Sequence, residues 1–165
     1  MRVAVTGTPG TGKTSTTTHL DESVLHLNDA VREHGLWSER DEERDSLVVD
    51  LEAVREWLGD WDGVVESHLA HHLDADRVVV LRCRPEELER RLEERGEAPE
   101  KARENAESEA LDVILSEAVR AHGEASVYEI DTTDRTPEAV AAEIRRVVDG
   151  DRDPSAGDVD FVDYL

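Results

Sequence analysis

Residues 7–14 read Gly-Thr-Pro-Gly-Thr-Gly-Lys-Thr, a G-x-x-x-x-G-K-[ST] loop directly after the apolar run Val3-Ala4-Val5. Glycines let the backbone turn tightly with successive N–H groups facing inward, and a helix starting near Gly12 aims its positive end at the same point. The pattern predicts a strand, a phosphate-cradling turn and a helix. Lys13 then reaches the β- and γ-phosphates of a nucleoside triphosphate, and the Thr14 hydroxyl binds Mg2+. The alternative is a chance glycine-rich turn, and the strand before it and the helix after it argue against that. Lys13 is one of two lysines in the chain, the other being Lys101, so a lysine at this point is not surface decoration.

At 165 residues the chain is long enough for one domain with a real core. It carries 41 acidic and 19 basic residues, a formal net charge of −22. Such a balance, with few aromatics, suits disorder or a high-salt cytoplasm. The regular apolar periodicity favours a folded, salt-adapted enzyme. At molar salt the Debye length is only ~3 Å, so the carboxylates barely repel one another. The acidity disfavours direct binding to DNA or RNA backbones and suits a basic protein partner. The single Cys83 cannot form an internal disulfide and reads as a buried thiol. No signal peptide or membrane-length apolar run is found, which predicts a cytoplasmic protein.

Short apolar strands alternate with helical segments along the chain. Strands are predicted at 2–6, 24–27, 63–66, 77–83 and 126–130. Helices are predicted from the phosphate loop to about Leu20, from Asn28-Asp29, over 50–58, from Pro85, over 100–122 and over 137–149, with residues 35–46 as a polar loop. The expected fold is a three-layer α/β P-loop NTPase sandwich with a five-stranded parallel sheet; a second strand followed by an Asn28-Asp29-capped helix with Arg32 and then a polar loop looks like the nucleoside monophosphate kinase type. Residues 1–149 form the domain. The acidic stretch 150–165, with Pro154 and Gly157, reads as a flexible tail whose Phe161, Val162, Tyr164 and Leu165 are able to dock as an arm.

Downstream residues narrow the chemistry. There is no N-K-x-D guanine-reading motif, which argues against a GTPase. Glu66 ends the strand Val64-Val65-Glu66, where an acid organises Mg2+ through water; the alternative is a surface carboxylate. His68 follows, placed to position water or an acceptor phosphate. His68, His71 and His72 have i, i+3, i+4 spacing that suits a metal face, but the local sequence offers no acid to complete it. Arg95, beside Gly96, is the candidate lid arginine; Arg90 and Arg91 read as partners of nearby glutamates. Arg32 is the candidate clamp for an acceptor phosphate, against a plain salt bridge to Asp29 or Glu33. Asp131–Asp134 lies near the nucleobase or simply caps a helix. A hydroxyl acceptor needs a base, whereas a monophosphate needs only positioning and charge neutralisation. The arginines and the missing D-x-D base after the second strand favour a nucleotide acceptor.

The chain resembles the sixth adenylate kinase isoenzyme family, the CINAP-type adenylate kinase/ATPases of archaea and eukaryotic nuclei. The resemblance is carried by Thr6–Thr14, Asn28-Asp29 with Arg32-Glu33, Asp41-Glu-Glu-Arg-Asp45 leading to Asp50, Glu66-Ser67-His68, Val80-Leu-Arg82, Arg91-Leu-Glu-Glu-Arg-Gly96, and Lys101, Asn105 and Glu109. It covers about residues 2–120. It implies transfer of phosphate between ATP and AMP, slow ATP hydrolysis, and a role in small ribosomal subunit and 16S rRNA maturation with ribosomal protein uS11 and the small-subunit precursor as partners. By matched position, Gly10, Gly12, Lys13, Thr14 and Ser15 bind ATP, Arg95 contacts it from a lid at about 94–104, and about 28–51 binds the monophosphate. Where the family commonly reads Asp-Tyr-His, this chain has Glu66-Ser67-His68, and Glu97 replaces an aromatic after the lid glycine. The rivals are an ATP-switched assembly factor with little kinase activity and a small-metabolite kinase.

Overall fold

Val3, Ala4 and Val5 make β1 (Arg2–Gly7) apolar on both faces, as a central parallel strand must be. In the computed structural model, which describes residues 1–43 and 46–165, β1 pairs in parallel on both sides. On one side is β5 (Gly63–Glu66), with Ala4 opposite Val65. On the other is β6 (Arg77–Arg82), with Val5 opposite Val79. The short β2 (Val24–His26) and β7 (Val127–Asp131) complete the sheet in the order β2-β5-β1-β6-β7. The expected five-stranded parallel sheet is therefore present, with the phosphate-loop strand at its centre.

Alternate residues feed the two outer layers. Ala4, Val78 and Val80 meet Val31 of α2 (Leu27–His34), Val54 of α3 (Leu51–Leu58) and Ala118 of α6 (Val113–His122). Val3, Val5, Val79 and Leu81 meet Val140, Ile144 and Val147 of α7 (Pro137–Asp149). A smaller cluster joins Cys83 to Leu88 and Leu92 of α4 (Pro85–Glu94) and to Ala102 and Ala106 of α5 (Pro99–Ala110), and it buries the thiol as expected.

Four details depart from the sequence reading. The helix after the phosphate loop, α1 (Lys13–Thr17), stops short of Leu20. The hydroxyls of Thr17 and Thr18 bond backwards to the Lys13 and Ser15 carbonyls, and the chain tightens into i→i−3 turns at His19 and Leu20. Residues 35–46 are not simply a loop: β3 (Trp37–Asp41) and β4 (Ser46–Val49) form an antiparallel hairpin. Its charged β3 is exposed, so no apolar alternation announces it, while Leu47 and Val49 pack on the core. Arg44 and Asp45 of the Asp41–Asp45 motif lie outside the described residues.

The single helix predicted over 100–122 is two helices. Asp112 turns left-handed at φ 56°, and its carboxylate accepts from Arg82 Nη2 at 2.6 Å. Arg82 is wholly buried and also reaches the Glu109 carbonyl at 3.0 Å and Glu129 Oε2 at 2.7 Å, so breaking the helix satisfies a buried cation. The tail at 150–165 is docked, which departs from the flexible reading and follows the alternative of an arm carried by Phe161 and Tyr164. Ser155 N–H donates to the Val127 carbonyl, the Phe161 ring lies 5.4 Å from the Arg82 guanidinium carbon, and the Tyr164 hydroxyl donates to Glu89. It thereby covers the β7 edge of the sheet.

Candidate functional site

The phosphate loop turns because two glycines take conformations closed to other residues. Gly10 and Gly12 have φ of 94° and 93°, and a Cβ on Gly10 would stand 3.0 Å from Leu92 Cγ. The loop is braced from beneath by Arg91, whose Nη1 reaches the Gly10 carbonyl at 3.3 Å and whose Nη2 reaches the Thr132 carbonyl at 3.4 Å. Glu109 Oε1 accepts from Thr8 Oγ1 at 3.0 Å, and its Oε2 accepts from the Cys83 N–H at 2.8 Å. The loop is thus tied to α4, α5 and the end of β7 (Arg91, Glu109 and Thr132).

Lys13 is buried, and its Nζ donates to the Gly7 and Thr8 carbonyls at 2.9 and 3.1 Å. Burial pushes its pKa down to about 8, against the pull of Glu66 and Glu109. At neutral pH it remains an ammonium. The neighbouring Thr14 Oγ1 donates to Glu66 Oε1 at 3.3 Å, and His26 Nδ1 lies 3.0 Å from Glu66 Oε2. A threonine hydroxyl beside a buried carboxylate is a hard-oxygen donor set, and it fits Mg2+. His68 is pushed down to about 4 by burial and then by the Lys13 charge, so its imidazole is neutral at pH 7.

Two cavities meet at this loop. The larger, about 1260 Å3, is lined by Lys13, Thr14, Glu66 and His68 and also by Arg32, Arg40 of the hairpin, Arg95 and Lys101. The smaller, about 370 Å3, runs toward Thr132, Arg135 and Val140. Gly10, Gly12, Ser15 and Arg95 line both. Arg95 closes α4 just before Gly96, whose φ is 94°. Its neighbour Arg90 is spent on Glu87 and Glu94. Arg32 lines the larger cleft, but its side chain is 71% exposed and 3.9 Å from Asp29, the surface pair that the sequence offered as the alternative.

The fold also brings in residues that sequence reasoning did not single out. His26 ends β2 just before α2 and is the register partner of Glu66 on the adjacent β5; nothing local marks it. Arg40 is carried by the unrecognised hairpin. Glu109 as a brace did leave a trace, since it shares the buried face of α5 with Ala102 and Ala106 at helical spacing. Beyond the phosphate loop, His71 and His72 lie beside Glu117 of α6, each 3.5 Å from its Oε2.

The chain matches the family model described as an AAA domain over residues 3–112. It is 62% identical to the "Putative adenylate kinase" of Natronomonas pharaonis and 63% identical to the protein of that name from Halobacterium salinarum, over the whole length of both chains in each case. It is 39% identical to the one from Methanocaldococcus jannaschii, over 87% of this chain and 84% of that one. Among solved structures, a deoxyadenosine kinase from M. mycoides with bound dATP superposes with a TM-score of 0.55 at 12% identity, covering 90% of this chain and 100% of that one. A shikimate kinase from Bacteroides thetaiotaomicron gives 0.56 at 16% identity, covering 91% and 98%. At those identities the two structures speak to the fold alone: it is that of the P-loop kinases.

Proposed function

The chain belongs to the AAA-domain P-loop family and to the archaeal group of its full-length relatives, and from that premise we propose that it transfers the terminal phosphoryl group of ATP to AMP, giving two ADP. The observation that carries this reading is the pair of cavities meeting at the phosphate loop, with Arg95 lining both. Hydrolysis alone needs one nucleotide and a water. A nucleoside monophosphate kinase needs two anionic ligands end to end across the loop, and the two cavities suit that.

In this reading the donor's phosphates lie on the N–H groups of residues 10–15, with its base toward Thr132 and Arg135. Lys13 leaves the Gly7 and Thr8 carbonyls for the phosphate oxygens. Thr14, and Glu66 through water, would hold Mg2+, which when bound neutralises phosphate charge. The acceptor lies between α2 and the hairpin, its phosphate facing Arg32 and Arg40, within a monophosphate-binding segment at 28–51. The 94–104 segment acts as lid, and its Arg95 stabilises the charge that spreads over the transferring oxygens. No general base is required, because the acceptor is already an anion. Neutral His68 at the cleft wall is able to accept a hydrogen bond from water, which supports a slow ATPase side reaction.

The ribosomal role, with uS11 as partner, and the CINAP-type assignment come from the family resemblance, and the cytoplasmic location from the sequence reading. Among the described residues no helix is long and apolar enough to cross a membrane. The deciding assay follows ADP formation from Mg-ATP in high salt, with and without AMP, for wild type and Lys13→Ala. AMP-dependent ADP formation that vanishes in the variant is the expected result. Equal turnover without AMP would replace the kinase by an ATPase and make immobilised uS11 the next ligand to test; turnover with a hydroxyl acceptor only would make it a small-metabolite kinase.

A further inference from the structure

His71 and His72, from the short turn after β5, meet Glu117 of α6 at the wall of the larger cleft. Each histidine Nε2 stands 3.5 Å from Glu117 Oε2, and the three atoms all lie within 4.8 Å of one another. The sequence pairs these histidines only with His68; the fold replaces His68 with an acid from a distant helix.

His71 is the telling member. Its side chain is 1% exposed, and among the described residues its Nε2 has no hydrogen-bond partner. Glu117 Oε2 at 3.5 Å stands at the outer limit of a hydrogen bond, and a buried polar nitrogen so poorly satisfied calls for an explanation. The other ring nitrogen is held, with Nδ1 2.7 Å from Thr6 Oγ1. If the Nδ1–H donates to that oxygen, Nε2 turns a lone pair toward His72 and Glu117. His122 Nε2, 2.7 Å from the His71 carbonyl, fixes the backbone beneath it. Imidazoles that bind metals are oriented in this way, through the nitrogen that does not bind.

We propose that His71, His72 and Glu117 form a site for a zinc-class divalent cation, separate from the oxygen site at Thr14 and Glu66. Two imidazole nitrogens and one carboxylate suit Zn2+ or Co2+, whereas Mg2+ prefers oxygen. Donors ~2.1 Å from a tetrahedral ion stand ~3.4 Å apart. Two of the three separations are already close to that value, the third is within 4.8 Å, and the partly buried His72 has room to adjust. Three protein ligands leave a coordination position open, and all three residues line the larger cleft. The ion would clasp the turn that follows His68 to α6.

The test is a Co2+ titration of the full chain in molar salt with excess Mg2+, read by visible absorption. We expect one equivalent to saturate an intense low-coordinate Co2+ band, and Zn2+ to displace it. His72→Gln and Glu117→Gln should each weaken binding at least ~10-fold, while His34→Gln, remote from the cluster, leaves it unchanged. Both test positions are only partly buried, so the fold should persist, and circular dichroism checks this. Zn2+ should also raise the Tm of wild type and not of the two variants. Absence of the band, several weak equivalents, or equal binding by folded His72→Gln and Glu117→Gln would overturn the proposal in favour of diffuse binding by the acidic surface.

Discussion

Replacing Arg82 by methionine should cost more stability than any surface change in this chain. The guanidinium is wholly buried and answers three carboxylates: Glu129 at 2.7 Å, Asp112 at 2.6 Å and Glu109 at 3.3 Å. Burial raises the pKa values of Glu109 and Glu129, while Arg82 opposes that shift. Arg82→Met preserves most of the volume and removes the charge, leaving two buried carboxylates to be protonated or hydrated. Removing one partner of a buried pair typically costs 3–5 kcal/mol. For a domain of this size that is a fall of roughly 10 °C in Tm. Because the network is buried, molar salt should not screen the loss, whereas removal of exposed Arg90 should leave stability nearly unchanged. Glu109 also receives Thr8 of the phosphate loop, so nucleotide affinity should fall as well. Chemical denaturation of wild type, Arg82→Met and Arg82→Met/Glu129→Gln at fixed high salt decides the matter. The double variant should recover part of the loss. A single-variant loss below ~1 kcal/mol would refute the argument that Arg82 is what permits these carboxylates to be buried.

Gly10→Ala should destabilise by about 1–3 kcal/mol, because φ is 94° and the added methyl meets Leu92 at 3.0–3.1 Å; a variant as stable as wild type in thermal denaturation would contradict it. Lys13 gives a pH signature. Its folded pKa of about 8 lies below the ordinary lysine value of 10.5, so between these values the unfolded chain holds a proton that the folded chain has released. Stability without nucleotide should therefore rise from pH 8 to 10.5, on the order of 3 kcal/mol relative to Lys13→Met. Nucleotide affinity should fall over the same range, as the cation facing the phosphates is lost. Parallel stability profiles for wild type and Lys13→Met would show that burial does not perturb the lysine.

Chemistry that depends on consecutive residues was legible in the sequence. The glycine spacing, Lys13 and Thr14 specify the phosphate loop, because backbone conformation and ligand contact there are set within eight positions. The continuous apolar runs at 3–5 and 78–81 specify buried parallel strands, and alternation with helices specifies the three layers. Tertiary structure decided what depends on partners far apart in the chain. Arg82 breaks a helix that local periodicity runs on, because a buried cation outweighs helix propensity at Leu111 and Asp112. The β3 strand of the hairpin is exposed and has no buried face to impose a pattern on its sequence, although Leu47 and Val49 of β4 pack on the core. The acidic tail docks because the edge strand offers unpaired carbonyls and Arg82 offers a cation to Phe161. Glu117 reaches His71 and His72 only because α6 packs beside the turn after β5, a juxtaposition that sequence spacing does not encode.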